Sequence, residues 1–92
     1  MLTIKTCKYI DNYRLNIIFN NNESGIVDLQ NEVSVEPYLI LQDKEIFKDF
    51  FIDHGAICWL NGEIDMAIEY LFFLMRCNEP IYHNMFKQWG YC

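Results

Sequence analysis

A few side chains in this sequence have the chemistry to bind or react. Asp28 lies inside an apolar run, between Val27 and Leu29. A carboxylate so placed either has a raised pKa and meets a ligand, or accepts hydrogen bonds from loop amides around Asn31 and pins a strand end. The second reading asks for no ligand and is preferred. Trp59, Asn61, Gly62 and Asp65 form the densest constellation. They are candidates for the lining of a small-molecule pocket, with Asp65 as its polar contact. Each also has a role in folding. Trp59 fills the core under the last helix, Asn61-Gly62 supplies positive-φ backbone, and Asp65 caps the helix. The four ligand-binding candidates, Asp28, Trp59, Asn61 and Asp65, therefore read first as framework.

Spacing marks no conventional catalytic pair, and a cysteine–histidine pair stays open. His54 and His83 are the two histidines. A general base needs an orienting partner, and Asp53 is only a chain neighbour of His54. Ser24 and Ser34 stand in loop-like stretches without a Gly-x-Ser-x-Gly elbow. No catalytic residue is assigned. The enzymatic alternative, a small-ligand-binding domain or minor enzyme using Asp28, His54 and Asp65, requires those three to converge on one cleft. Cys7, Cys58, Cys77 and Cys92 read as free thiols, because no secretory signal accompanies them. Cys7 and Cys58 are expected to be buried, Cys77 to lie near a helix end. On one extended strand His54 and Cys58 would be ~13 Å apart, too far for the ~2 Å bonds of a shared metal ion. Neither a metal nor another cofactor is expected.

The elements that position these residues follow from periodicity. Residues 3–10 alternate as a strand, Asp11-Asn12 turns, and Tyr13–Phe19 alternates again with Tyr13, Leu15, Ile17 and Phe19 on one face. Asn20–Ser24 is the next turn and Gly25–Leu29 a third strand, giving an antiparallel meander. Val33–Leu41, with Pro37, is a short helix or irregular backbone. Asp43–Phe50 is a short helix capped by Asp43, with Ile46, Phe47 and Phe50 buried. Two strands, 51–55 and 56–60, meet at a tight turn near Asp53-His54-Gly55. Asp65 then opens a long helix whose Ile64, Ile68, Leu71, Phe72 and Met75 share one face, while Tyr70, Phe73 and Leu74 leave the other face apolar. Ile81, Tyr82, Met85, Phe86 and Trp89 again have helical spacing. The expected fold is α+β: one antiparallel sheet of about 4–5 strands, a short middle helix and one or two C-terminal helices.

Ninety-two residues make one domain. Its apolar fraction of 52% against 22% charged residues sets it apart from disordered chains. The formal charge of -6 repels phosphate backbones, so general nucleic-acid binding is not expected. The acidic residues are spread along the chain, which speaks against a nucleic-acid mimic and for a solvated surface. The N-terminus lacks a long apolar segment, and Tyr70–Met75 is far short of the ~20 residues a membrane helix needs. A cytoplasmic location without membrane partners is expected.

From Tyr13 onward the landmarks Tyr13-Arg-Leu-Asn-Ile-Ile-Phe19, Val27-Asp28-Leu29, Leu41, Asp43, Phe47, Ile57-Cys-Trp59, Asn61-Gly62-Glu-Ile-Asp65, Glu69 and Leu71 come in an order that resembles the bacterial family called domain of unknown function 2442. The resemblance covers residues 3–73, and Trp59–Asp65 is its most specific piece. It departs in two places: Asn21-Asn22-Glu23 where the family usually turns on Gly, and Ile68 where it commonly has Pro before Glu69. The resemblance implies an α+β domain with no established catalytic residues, in a family some of whose members are fused to helix-turn-helix domains and others encoded beside small toxin-like proteins. Residues 75–92 lie outside it, as a C-terminal extension expected to be helical.

Fifteen aromatic residues are more than so short a chain comfortably buries. The surplus clusters from Tyr70 to Tyr91. The functional expectation is accordingly a protein-interaction module, an adaptor or antitoxin-like partner, that self-associates as a homodimer or binds a cognate protein. Its expected interface is Tyr70, Phe73, Leu74, Tyr82, Phe86 and Trp89.

Overall fold

The computed structural model describes residues 1–91. It is an α+β fold whose strands form two three-stranded antiparallel sheets. In the first, β1 (Ile4–Asp11), β2 (Arg14–Phe19) and β3 (Ser24–Asp28) lie in chain order. The first turn is Asn12-Tyr13, one residue later than the sequence suggested, with Asn12 at φ 44° and Arg14 forked onto Asp11 at 2.7 and 2.8 Å. Alternation does the rest. Leu15, Ile17, Phe19 and Val27 point inward and are fully or almost fully buried, while Asn16, Ile18 and Ile26 face out.

Two 3₁₀ turns, Glu32–Ser34 and Leu39–Gln42, flank the cis Glu36-Pro37 bond and drop Val33 and Leu41 into the core. Helix α1 (Lys44–Lys48) follows. Asp43 caps it as expected, its carboxylate accepting from the Glu45 amide at 3.0 Å.

The second sheet departs from expectation. Strands β4 (Phe51–Asp53) and β5 (Ala56–Trp59) form the expected hairpin, with His54 at φ 51° and Gly55 at φ 79° making the two-residue turn. A third strand, β6 (Ile64–Met66), then pairs with β5, setting Met66 opposite Ile57 and Ile64 opposite Trp59. Asp65 is the exposed middle residue of that strand, opposite Cys58, and so does not cap a helix. Its neighbours explain why: Ile64 and Met66 alternate inward on β5, and three residues of period two were hidden at the head of a helical pattern. The four-to-five-stranded single sheet becomes two sheets of three. They are joined where the Ile4 amide donates to the Gly55 carbonyl at 2.8 Å.

Helix α2 (Ile68–Arg76) begins after Ala67, which offers no side-chain cap. Glu69 in its first turn supplies a carboxylate to the positive end of the dipole. A 3₁₀ turn, Pro80–Tyr82, leads into α3 (His83–Trp89), and Gly90 at φ 88° closes α3 in the left-handed conformation. A single core unites Phe19, Phe47, Trp59, Leu71, Phe72 and Phe86 with the inward faces of both sheets. Close approach of α2 to β3 is made possible by Gly25, where a Cβ would stand 3.0 Å from Met75 Cγ.

Candidate interaction surfaces

The aromatic residues after Tyr70 serve one another first. Phe72 is buried and has Phe19, Tyr82, Phe86 and Trp89 around it, at centroid separations of 5.2–6.3 Å. Next to it on α2, Phe73 lies edge-on to Phe86 at 5.1 Å and beside Tyr91 at 5.2 Å, and Tyr91 also meets Tyr70 at 5.6 Å. These are the offset and edge-to-face arrangements that the ring quadrupole favours. The six expected interface residues are therefore not equivalent. Phe86 is 1% exposed and belongs to the core. Tyr70, Phe73, Leu74, Tyr82 and Trp89 are half-buried against the core. The apolar residue of this region that stands free is Ile81, at 84% exposure.

Polar ties fasten the C-terminal part to the rest. Arg76 donates to Glu23 at 3.2 Å and to the Ser24 carbonyl at 2.8 Å, and pairs with Glu79 at 3.0 Å. The Tyr82 hydroxyl donates to the same Glu23 oxygen at 2.9 Å. The Tyr82 bond, and then the Arg76 guanidinium, hold the Glu23 carboxyl below its usual range. Tyr70 donates to Glu32 at 2.7 Å. Burial, reinforced by that bond, pushes its hydroxyl up to about 12.

The ligand-binding candidates are dispersed. Asp28 is exposed at the end of β3 and accepts from the Gln30 amide at 2.9 Å, a turn-pinning role one residue short of Asn31. Trp59 is fully buried, stacked on Phe47 at 6.0 Å with Nε1 donating to the Phe47 carbonyl at 2.9 Å. Its polar partner is thus the middle helix α1. Leu60, Asn61 and Gly62 are all left-handed, at φ 53°, 57° and 91°. The sequence flagged Asn61-Gly62, but nothing in it marked Leu60. His54 is exposed at the tip of the β4–β5 turn, 3.0 Å from Asp53. Three surface clefts lie at the N-terminus, beside α1 and at the 77–84 turn, and Asp28, His54 and Asp65 line none of them.

Cys58 is buried, whereas Cys7 is only half-buried and Cys77 is exposed. All three are free thiols; Cys92 lies outside the described residues. Among the described residues no three His, Cys, Asp or Glu side chains gather as metal ligands would, no polar or charged side chain is buried, and no helix is long and apolar enough to cross a membrane.

Two of the clefts combine apolar walls with polar groups. One, of about 410 Å³, opens between the N-terminus and the C-terminal helices, lined by Leu2, Asn20, Phe72, Met85 and Trp89. The other, of about 480 Å³, runs between α1, β4 and the left-handed turn after Trp59. Sequence reading named one candidate residue of each, Trp89 in the first and Asn61 in the second, but missed the clefts themselves, because each is built by residues far apart in the chain.

No curated protein and no solved structure gives a significant match. The family described as "Protein of unknown function (DUF2442)" matches residues 4–75 of the 92, a span that takes in both sheets, α1 and nearly all of α2, and the chain belongs to that family.

Proposed function

We propose that this chain is a cytoplasmic protein-interaction module, adaptor-like or antitoxin-like in role, that binds a protein partner or a second copy of itself through the surface of its C-terminal helices. The observation that carries this reading is the open cleft between Leu2, Phe72, Met85 and Trp89. Its walls are mainly apolar and aromatic, with Asn20 and Asn21 as the polar groups, the composition of pockets that receive the anchoring side chain of a partner. Ile81, exposed on the preceding turn, adds apolar surface to the same C-terminal segment. A net charge of -6 adds long-range attraction toward a basic partner. The dispersal of Asp28, His54 and Asp65 gives the ligand-binding or enzymatic alternative no support.

The test of self-association is light scattering over a concentration series, for the wild-type chain and for Met85→Glu, which sets a charge in the cleft. Concentration-dependent growth in mass that Met85→Glu abolishes supports docking through this surface. Growth in mass that Met85→Glu leaves untouched would move the interface elsewhere.

A further inference from the structure

The second cleft, remote from the C-terminal helices, has a different character. Helix α1 sorts its charges by side. Lys44 reaches over the Tyr13 ring at 5.6 Å and Lys48 over the Tyr9 ring at 5.4 Å, so both lysines are drawn toward the first sheet. Glu45 in the first turn and Asp49 at the C-cap line the cleft on the other side. Lys48 only brushes Glu45, at 3.9 Å. Ile46, Phe50, Phe51 and Leu60 form its apolar walls, and Asn61 adds a polar amide at the end beside the left-handed turn. Along its border runs β4, an edge strand. Asp53 and Ala56 flank the two-residue turn and form a hydrogen-bonded pair. Ile52 opposite Ile57 is therefore the non-bonded pair, and the Ile52 amide and carbonyl point away from the sheet. Both Phe51 and Ile52 keep more than a third of their surface exposed.

An apolar trough with two carboxylates at its rim, beside a free strand edge, suits a cationic head on a long aliphatic stem. We infer that this cleft is a docking site for an arginine or lysine side chain carried on an extended segment of a partner protein. The head sits between Glu45 and Asp49, the stem lies against Ile46, Phe50 and Leu60, and the segment's backbone pairs with Ile52. Charge complementarity selects this occupant over a second copy of the chain, whose own surface is acidic. The inference goes beyond the C-terminal surface proposed above, and the two stand or fall separately.

The test is a titration of the isotope-labelled full chain, followed by amide NMR, with a capped Thr-Val-Arg-Val-Thr peptide and with analogues carrying citrulline or glutamate in place of arginine. Saturable shifts confined to 45–53 and 60–61 are expected for the arginine peptide. Affinity should fall at least about fivefold for citrulline, more for glutamate, and again with added salt. Glu45→Gln with Asp49→Asn should weaken the arginine peptide by a similar factor while leaving the rest of the spectrum in place. Absence of saturable shifts at these residues, equal binding of the glutamate peptide, or indifference to the double substitution would each overturn the assignment. Shifts confined instead to Phe72, Met85 and Trp89 would overturn it while supporting the C-terminal surface.

Discussion

Replacing Gly55 with alanine should damage the junction between the two sheets. Gly55 sits at φ 79°, and a Cβ built there would stand 2.6 Å from Thr3 Cβ and 2.7 Å from Thr3 Cγ2. Its carbonyl also accepts the Ile4 amide that joins the sheets. The left-handed conformation costs an alanine about 1–2 kcal/mol, and the stiffer unfolded chain returns about 0.5–1 kcal/mol. Overpacking against a branched side chain next to backbone adds about 1–3 kcal/mol. The net loss should be about 2–3 kcal/mol. Gly62→Ala is the internal control, since Gly62 is also left-handed, at φ 91°, but has nothing within 4 Å of the new Cβ. Its loss should be about 0.5–1 kcal/mol. Urea denaturation of both variants measures the difference, with unchanged slopes showing that the unfolded states are comparable. In a domain of this length each kcal/mol shifts the melting temperature by about 4–8 °C. Adding Thr3→Gly removes both clashing atoms, so in a double-mutant cycle it should recover about 1–2 kcal/mol in the Gly55→Ala background. A Gly55→Ala variant no less stable than Gly62→Ala, or a cycle with no coupling, would refute the close approach of the N-terminus to the β4–β5 turn.

Other substitutions test other parts of the structure. Trp59→Phe strips the Phe47 carbonyl of its 2.9 Å donor and opens space beside a fully buried ring, so urea denaturation should show a loss of about 2–4 kcal/mol. Asp43→Ala removes the α1 cap and should cost about 1 kcal/mol by the same measurement. The Glu23 carboxyl is lowered on folding, so its contribution to stability is present above its ordinary value of 4.5 and lost as pH falls through the lower folded value; Glu23→Gln should flatten that part of the acid limb in a pH series of melting curves. Burial pushes the Cys7 thiol up to about 12, and Cys58 is raised as well. Iodoacetamide labelling mapped by mass spectrometry should therefore mark exposed Cys77 at least about tenfold faster than either.

The parts of the fold that were legible in the sequence are those fixed by local pattern. Leu15, Ile17 and Phe19 alternate cleanly because one face of β2 is wholly buried. The Asp43 cap and the His54-Gly55 turn could be read because each satisfies backbone needs within two residues. Strand β6 could not: three residues are too few for a period to emerge, and its stability comes from β5, paired across the Leu60–Gly62 turn. The apolar surplus expected as surface at the C-terminus is mostly covered there, with Ile81 the large apolar side chain left exposed. Ring-on-ring packing among Phe72, Phe73, Phe86 and Tyr91 absorbs much of it, and such mutual cover leaves no mark on composition. The other exposed large apolar side chains among the described residues lie before the C-terminal helices, Ile26, Val35, Ile40 and Phe51 among them. Of the α1 cleft only Asn61 was singled out, because its character depends on which side the charges of α1 and its C-cap take.

The measurement that bears most directly on the central claim is affinity capture from the native cell, comparing the wild-type chain with Met85→Glu and with Ile81→Asp, each checked for an unchanged melting curve. Ile81 is 84% exposed, so its replacement leaves the core intact. The interaction reading predicts that a defined protein, or this chain itself, is retained by the wild type and lost from at least one variant. Retention of the same proteins by all three baits, or of none by the wild type together with a monomeric mass at every concentration, would contradict it.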